Sequence, residues 1–223
     1  MRPRAADSTD YFTACIRYQA QRAAKLTEQI HTAAPDEPHL LELRRRLFTA
    51  QQKKFTAMYS RGDALAVLLP EFTSLSYSFL RNWQPDAGSS SGYADALRFA
   101  SLAVLFGADA AMREAVRRRI SDSLTDALLC AEIPVPDPAS LRHGEFRLLA
   151  EAAQQRRAEQ LCAYMEIWYH RDRYDPWYSS HGLNEDCGKW SFAAAAIAKR
   201  YAIPDAALRD DPHYPYELAH FVP

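Results

Sequence analysis

Glycine is nearly absent from this chain, at seven residues in 223, against an average usage of roughly 7%. Alanine stands at 38. Phosphate-cradling loops, dinucleotide-binding turns and tight β-hairpins need glycine where φ is positive or where another group must come close. No Gly-x-Gly pair and no Gly-Lys-Ser/Thr run occurs, which excludes Rossmann and P-loop proteins. Alanine loses little on entering a helix, whereas glycine costs about 1 kcal/mol there. The expectation is an all-α fold, a bundle of roughly seven to nine helices with a loop-rich C-terminal third.

Apolar spacing places the helices. Phe12, Cys15, Ile16, Gln19, Ala23, Leu26 and Ile30 recur every three or four residues behind the caps available at Ser8, Thr9 or Asp10. Leu40, Leu43, Leu47, Phe55 and Met58 mark a second helix that stops at Arg61-Gly62-Asp63. A third runs over 64–83, with Pro70 in a kink or opening a new turn, and 84–92 is the clearest loop. Helices follow over 93–106 and 110–131, the latter divided at Ser121-Asp122. Prolines 134, 136 and 138 make 132–140 an extended connector. It separates an N-terminal helical half, 1–131, from a C-terminal half, 141–223, the two packing as one compact unit. Beyond it, Phe146, Leu149, Ala153, Leu161, Met165 and Trp168 predict one long helix, and 190–201 a short apolar one. All seven glycines are expected at helix ends or in loops.

Twenty-seven basic against 28 acidic residues leave a net charge of −1, so no global field recruits nucleic acid or a membrane. No apolar run approaches the roughly 20 residues that span a bilayer. The charged N-terminus has no apolar stretch behind it, and the four cysteines are scattered without a C-x-x-C. Both point to a reducing, cytoplasmic location.

Few constellations carry chemistry. His170, Asp172, Asp175, His181, Glu185, Asp186 and Cys187 crowd together and could ligate a metal, although no H-x-x-x-H or H-E-x-x-H spacing puts two ligands on one helix face. Ser179 and Ser180 next to His181 lack a nucleophile elbow. Arg44–Arg46 and Arg117–Arg119 are interrupted by Glu42 and Glu114 and read as solvated helix faces. No cofactor motif is present, and the expectation is a protein that is not an enzyme. A metal-dependent enzyme built on the 170–187 cluster and a helical adaptor remain the alternatives.

The unusual stretch lies beyond residue 164, where twelve aromatic side chains fall between Tyr164 and Phe221. From 150 onward, 8 Lys/Arg face 11 Asp/Glu. Aromatic anchors among steering acids suit a face that binds a basic protein. Trp190, Phe192, Ala195, Ile197 and Ala198 sit at helical spacing and belong to the core, and Tyr214-Pro215-Tyr216 pins the tail. Asp172, Asp175, Tyr178, Glu185, Asp186, Asp210 and Asp211 are the candidate contacts.

The run Gly188-Lys-Trp190-Ser191-Phe192-Ala-Ala-Ala-Ala-Ile-Ala-Lys199, with Ile203-Pro-Asp205, Leu208-Arg-Asp210 and His213-Tyr214-Pro215-Tyr-Glu-Leu218, resembles the closing motif of the PoNi immunity proteins. Trp168-Tyr169 and Trp177-Tyr178-Ser-Ser-His181 fit the same family's aromatic signposts, and Tyr59-Ser-Arg-Gly-Asp63 is similar to its helix junction. The family carries a glutamate directly after W-S-F, where this chain has Ala193. The resemblance implies a helical, non-catalytic cytoplasmic protein that needs no cofactor. It also implies a protein partner: a cognate PoNe-type DNase toxin delivered by type VI or related secretion.

Overall fold

The computed structural model describes residues 5–34, 39–83, 90–120, 123–130, 132–141, 146–171 and 187–223. Among them are ten α-helices: α1 (Ala5–Thr32), α2 (Leu40–Arg61), α3 (Leu65–Asn82), α4 (Ser90–Leu105), α5 (Ala110–Arg117), α6 (Ser123–Leu129), α7 (Arg147–Gln155), α8 (Ala158–Arg171), α9 (Phe192–Tyr201) and α10 (Tyr216–Ala219). Two short 3₁₀ turns lie at Pro138–Ser140 and Ala206–Leu208. No strand occurs among the described residues, so the fold is all-α.

The chain divides into two compact units, Met1–Asp86 with Ser180–Lys189, and Ala87–Ser179 with Trp190–Pro223. The proline-rich stretch 132–140 thus lies inside the second unit instead of separating two halves. The cause is packing: α4 and α6, which precede it, both lie against α9, which follows it.

The first unit is a helical hairpin extended by a third helix. Leu26 of α1 clusters with Leu47 and Ala50 of α2, while Phe12 and Cys15 cluster with Ala57. This pairing runs the two helices antiparallel. Cys187 joins the second cluster, and Ser60 Oγ donates to the Cys187 carbonyl at 2.7 Å. α3 returns along α2, with Phe48 edge-on to Phe79 at 5.4 Å and Lys54 paired to Glu71 at 2.9 Å. Gly62 closes α2 at φ +95°, where its lack of Cβ removes the left-handed penalty. The helix of α3 continues through Pro70, which is exposed and leaves the Ala66 carbonyl without its usual donor.

In the second unit α9 is the central element, touching α4, α6, α7, α8 and α10. Its alanines 194, 195, 196 and 198 are buried and let neighbouring helices come close. Lys199, in its last turn, is half-buried and donates to the Leu105 carbonyl at 2.7 Å and the Phe221 carbonyl at 2.5 Å. Burial pushes its pKa down. Phe221 also meets Phe106 edge-on at 5.8 Å, and a Cβ on Gly107 (φ +64°) would come within 2.8 Å of Pro223. The tail is thereby held on the end of α4.

Several sequence expectations shift. The one long helix expected beyond the connector is two, because Arg156 adopts φ +52° and returns its N–H to the Ala152 carbonyl at 2.8 Å. Helix α1 begins at Ala5, ahead of the caps at Ser8–Asp10, and Gly92 lies in the first turn of α4 instead of in a loop. Four of the six arginines in the basic runs pair with acids on their own helix turns. Glu114 takes Arg117 at 2.7 Å and Arg118 at 2.9 Å, which holds its carboxyl at about 2, and Glu42 takes Arg46 at 2.8 Å.

Ala202 closes α9 at φ +53°, and the next N–H, that of Ile203, reaches the Ala198 carbonyl at 2.9 Å. A side chain in this region costs about 1–2 kcal/mol that glycine avoids. Ala202→Gly is expected to raise stability by up to about 1 kcal/mol in a denaturant titration; a loss of stability would contradict the assigned left-handed cap.

Candidate functional site

The closing segment, 203–221, is built around one buried carboxylate. Asp205 is 6% exposed and lies between the end of α9 and the second 3₁₀ turn. Its Oδ2 accepts from the Tyr214 hydroxyl at 2.6 Å, and its Oδ1 accepts from His220 Nε2 at 2.9 Å. A buried carboxylate is costly unless hydrogen-bonded, and here two side chains from later in the chain supply the donors. Burial, reinforced by the bond to Asp205, pushes the Tyr214 phenol well above its ordinary range.

A turn positions the donors. Asp211 Oδ1 accepts from the His213 N–H at 2.8 Å, and the Tyr214 N–H reaches the Asp211 carbonyl at 3.2 Å. This is the local bonding that aspartate favours in turns. The His213 carbonyl accepts from the Ser191 N–H at 2.9 Å, which fixes the segment to the start of α9, and the His213 ring lies 5.9 Å from that of buried Trp168. Tyr216 opens α10 with its ring near both the Arg209 guanidinium, 5.1 Å from the centroid, and the His220 ring at 4.3 Å.

The structure places the candidate residues as follows. Trp168, Trp190, Ser191, Phe192, Tyr214 and Pro215 are buried in the second unit. Tyr169 lies in α8. Asp210 is exposed and makes no hydrogen bond or ion pair among the described residues, while Asp211 is half-buried with its carboxylate engaged in the turn. Asp172, Asp175, Trp177, Tyr178, His181, Glu185 and Asp186 lie outside the described residues. Among the described residues no group of three His, Cys, Asp or Glu converges on a metal site, and Cys187 packs in the apolar cluster of the first unit. No described helix is long and apolar enough to cross a membrane.

The closing motif contains Asp205, Arg209 and Tyr216 but by itself gives Asp205 and Arg209 no role, and His220 lies outside it. The available signal was an acid standing between apolar Ile203 and Leu208, whose burial requires donors. Ala193, the second residue of α9, is half-buried, and the first turn of this helix carries no acid.

Residues 120–218 match the family model of the PoNe immunity proteins (PoNi), C-terminal. Over that stretch the chain is similar to the PoNi family. No curated protein and no solved structure matches it. The PoNi match spans α6 through most of α10 and takes in Asp205, Tyr214 and Tyr216, whereas His220 lies two residues beyond it. The lock on Asp205 therefore combines the matched region with the residues that follow.

One variant tests the lock. Tyr214→Phe removes one hydrogen bond to a carboxylate and is expected to cost about 1.5–3 kcal/mol in denaturant unfolding at pH 8. Because the folded-state phenol pKa lies above the unfolded value of about 10, the wild-type advantage is complete below that pH. It declines as pH rises further, since the unfolded tyrosine ionises first. The margin over Tyr214→Phe should therefore narrow above pH 10; a constant margin would show that Tyr214 is not held by Asp205.

Proposed function

We propose that this chain is an immunity protein that binds and neutralises a cognate PoNe-like DNase toxin in the bacterial cytoplasm, occluding the toxin's active site or an adjacent surface. The observation that carries the reading is the PoNi match over 120–218, a family of PoNe immunity proteins. The toxin's DNase activity, its delivery by type VI secretion and the setting of interbacterial competition come from the resemblance of the closing motif to that family.

The physics of the site supports the reading. A DNase presents a positive cleft to phosphates, so a protein offering carboxylates can compete for that surface. Asp210 is such a carboxylate, exposed and carried on a turn whose backbone is fixed by Asp211, Ser191 and Tyr214. Asp172, Asp175, Tyr178, Glu185 and Asp186 are proposed to extend the contact, since they share the acidic, aromatic composition of this third of the chain. A rigid mount loses less entropy on docking. No cofactor enters the proposal, and neither does direct nucleic-acid binding.

Cells that co-express this chain with an adjacent PoNe-type toxin gene should survive, and the two proteins should co-purify. Survival without complex formation, or a complex without protection, would contradict inhibition by binding. Within the complex, Asp210→Lys is expected to weaken binding and its salt dependence while leaving the melting midpoint unchanged. Asp211→Lys should also lower the midpoint, because Asp211 caps the turn.

A further inference from the structure

The fold leaves one ordered surface group unused. Tyr216 is half-buried, with the Arg209 guanidinium over its ring and Arg209 Nη2 donating to its hydroxyl at 3.2 Å. The His220 ring also meets that of Tyr216, at 4.3 Å with a 39° tilt. Arg209 and His220 are exposed, and Asp210 adjoins them. Arg209 Nε and Nη1 have no hydrogen-bond partner among the described residues.

Nothing in the core depends on Arg209, yet the cluster is held from below. Asp205 fixes His220, and α10 is anchored by the Leu218 and Ala219 N–H groups, each 3.0 Å from the Pro215 carbonyl. Tyr214, the other residue on Asp205, lies with its ring 6.4 Å from that of Tyr216. Tyrosine and arginine dominate interface hot spots when they are well packed at a centre ringed by polar groups. An aromatic already packed against two side chains has less rotamer freedom left to lose on docking. Arginine with Nε and Nη1 unbonded keeps planar N–H donors for an acceptor on a partner.

We propose that the partner-binding hot spot is the Arg209–Tyr216–His220 cluster seated on Asp205, and that it takes a protein surface with a basic side chain opposite Asp210 and a carboxylate or carbonyl opposite Arg209. This inference rests on the immunity reading for its partner and adds where the binding energy is concentrated. Asp210 is then a rim charge that governs approach, and the cluster governs residence.

The test uses the full chain and, as probe, the catalytically inactivated product of the adjacent PoNe-type toxin gene, with association and dissociation followed on a sensor surface at two salt concentrations. Arg209→Ala is expected to speed dissociation at least tenfold without moving the melting midpoint. Arg209→Lys, which keeps the charge and stem but not the planar donors, should speed it as well and serves as the reading if the alanine variant is destabilised. Tyr216→Phe, which keeps the ring but severs the bond to Arg209, should combine non-additively with Arg209→Ala. Asp210→Asn should slow association and flatten its salt dependence. Unchanged dissociation in both Arg209 variants overturns the hot spot and leaves the immunity reading standing. No complex with the wild-type chain overturns the immunity reading itself.

Discussion

The second unit depends on the burial of α9. From Phe192 to Ala198 every side chain except Ala193 is buried, and helices from both sides of the proline-rich stretch lie on it. A helix enclosed this way needs small residues where neighbours cross, since interaxial distance follows side-chain size. Its run of alanines meets that need. Lys199 then uses the end of α9 to tie the Leu105 carbonyl of α4 to the Phe221 carbonyl of the tail.

The closing segment transmits this order to the surface. Asp205 follows α9 by four residues and is too buried to stand alone, so Tyr214 and His220 are drawn to it. Those two contacts set the path of 205–220, place Asp210 in solvent and orient Tyr216 beneath Arg209. The proposed partner site is thereby made from short, individually weak elements, a 3₁₀ turn and a single helical turn, stabilised by one desolvated carboxylate. Such strongly coupled polar contacts make the surface rigid without requiring long secondary structure.

Much of the fold was legible in the chain. The Gly62 stop of α2 is a local matter of φ and a missing Cβ, and it stands where the sequence puts it. The apolar spacing of α1 and α2 likewise gives the faces that meet at Leu26, Leu47 and Ala50. The break between α7 and α8 was not legible, because Arg156 takes a left-handed conformation that no glycine announces. The start of α4 was missed for the opposite reason: Gly92 reads as loop, yet it falls in a first turn, where backbone propensity is easily overridden. At the candidate site the aromatic and acidic composition was visible, but the difference between exposed Asp210 and engaged Asp211 was not, since adjacent acids look alike until the turn is formed.

The sequence by itself determined the all-helical class, the absence of phosphate-cradling loops and, through its closing motif, the likeness to the PoNi family over 120–218, because each of these follows from local propensity or from residue identity at short spacing. Tertiary structure alone decided that α9 unites helices across the proline-rich stretch and that Asp205 collects Tyr214 and His220. It also decided that Arg209, Tyr216 and His220 meet at the surface. These are contacts between residues whose neighbours in space are set by chain path and burial, and no local preference encodes a path.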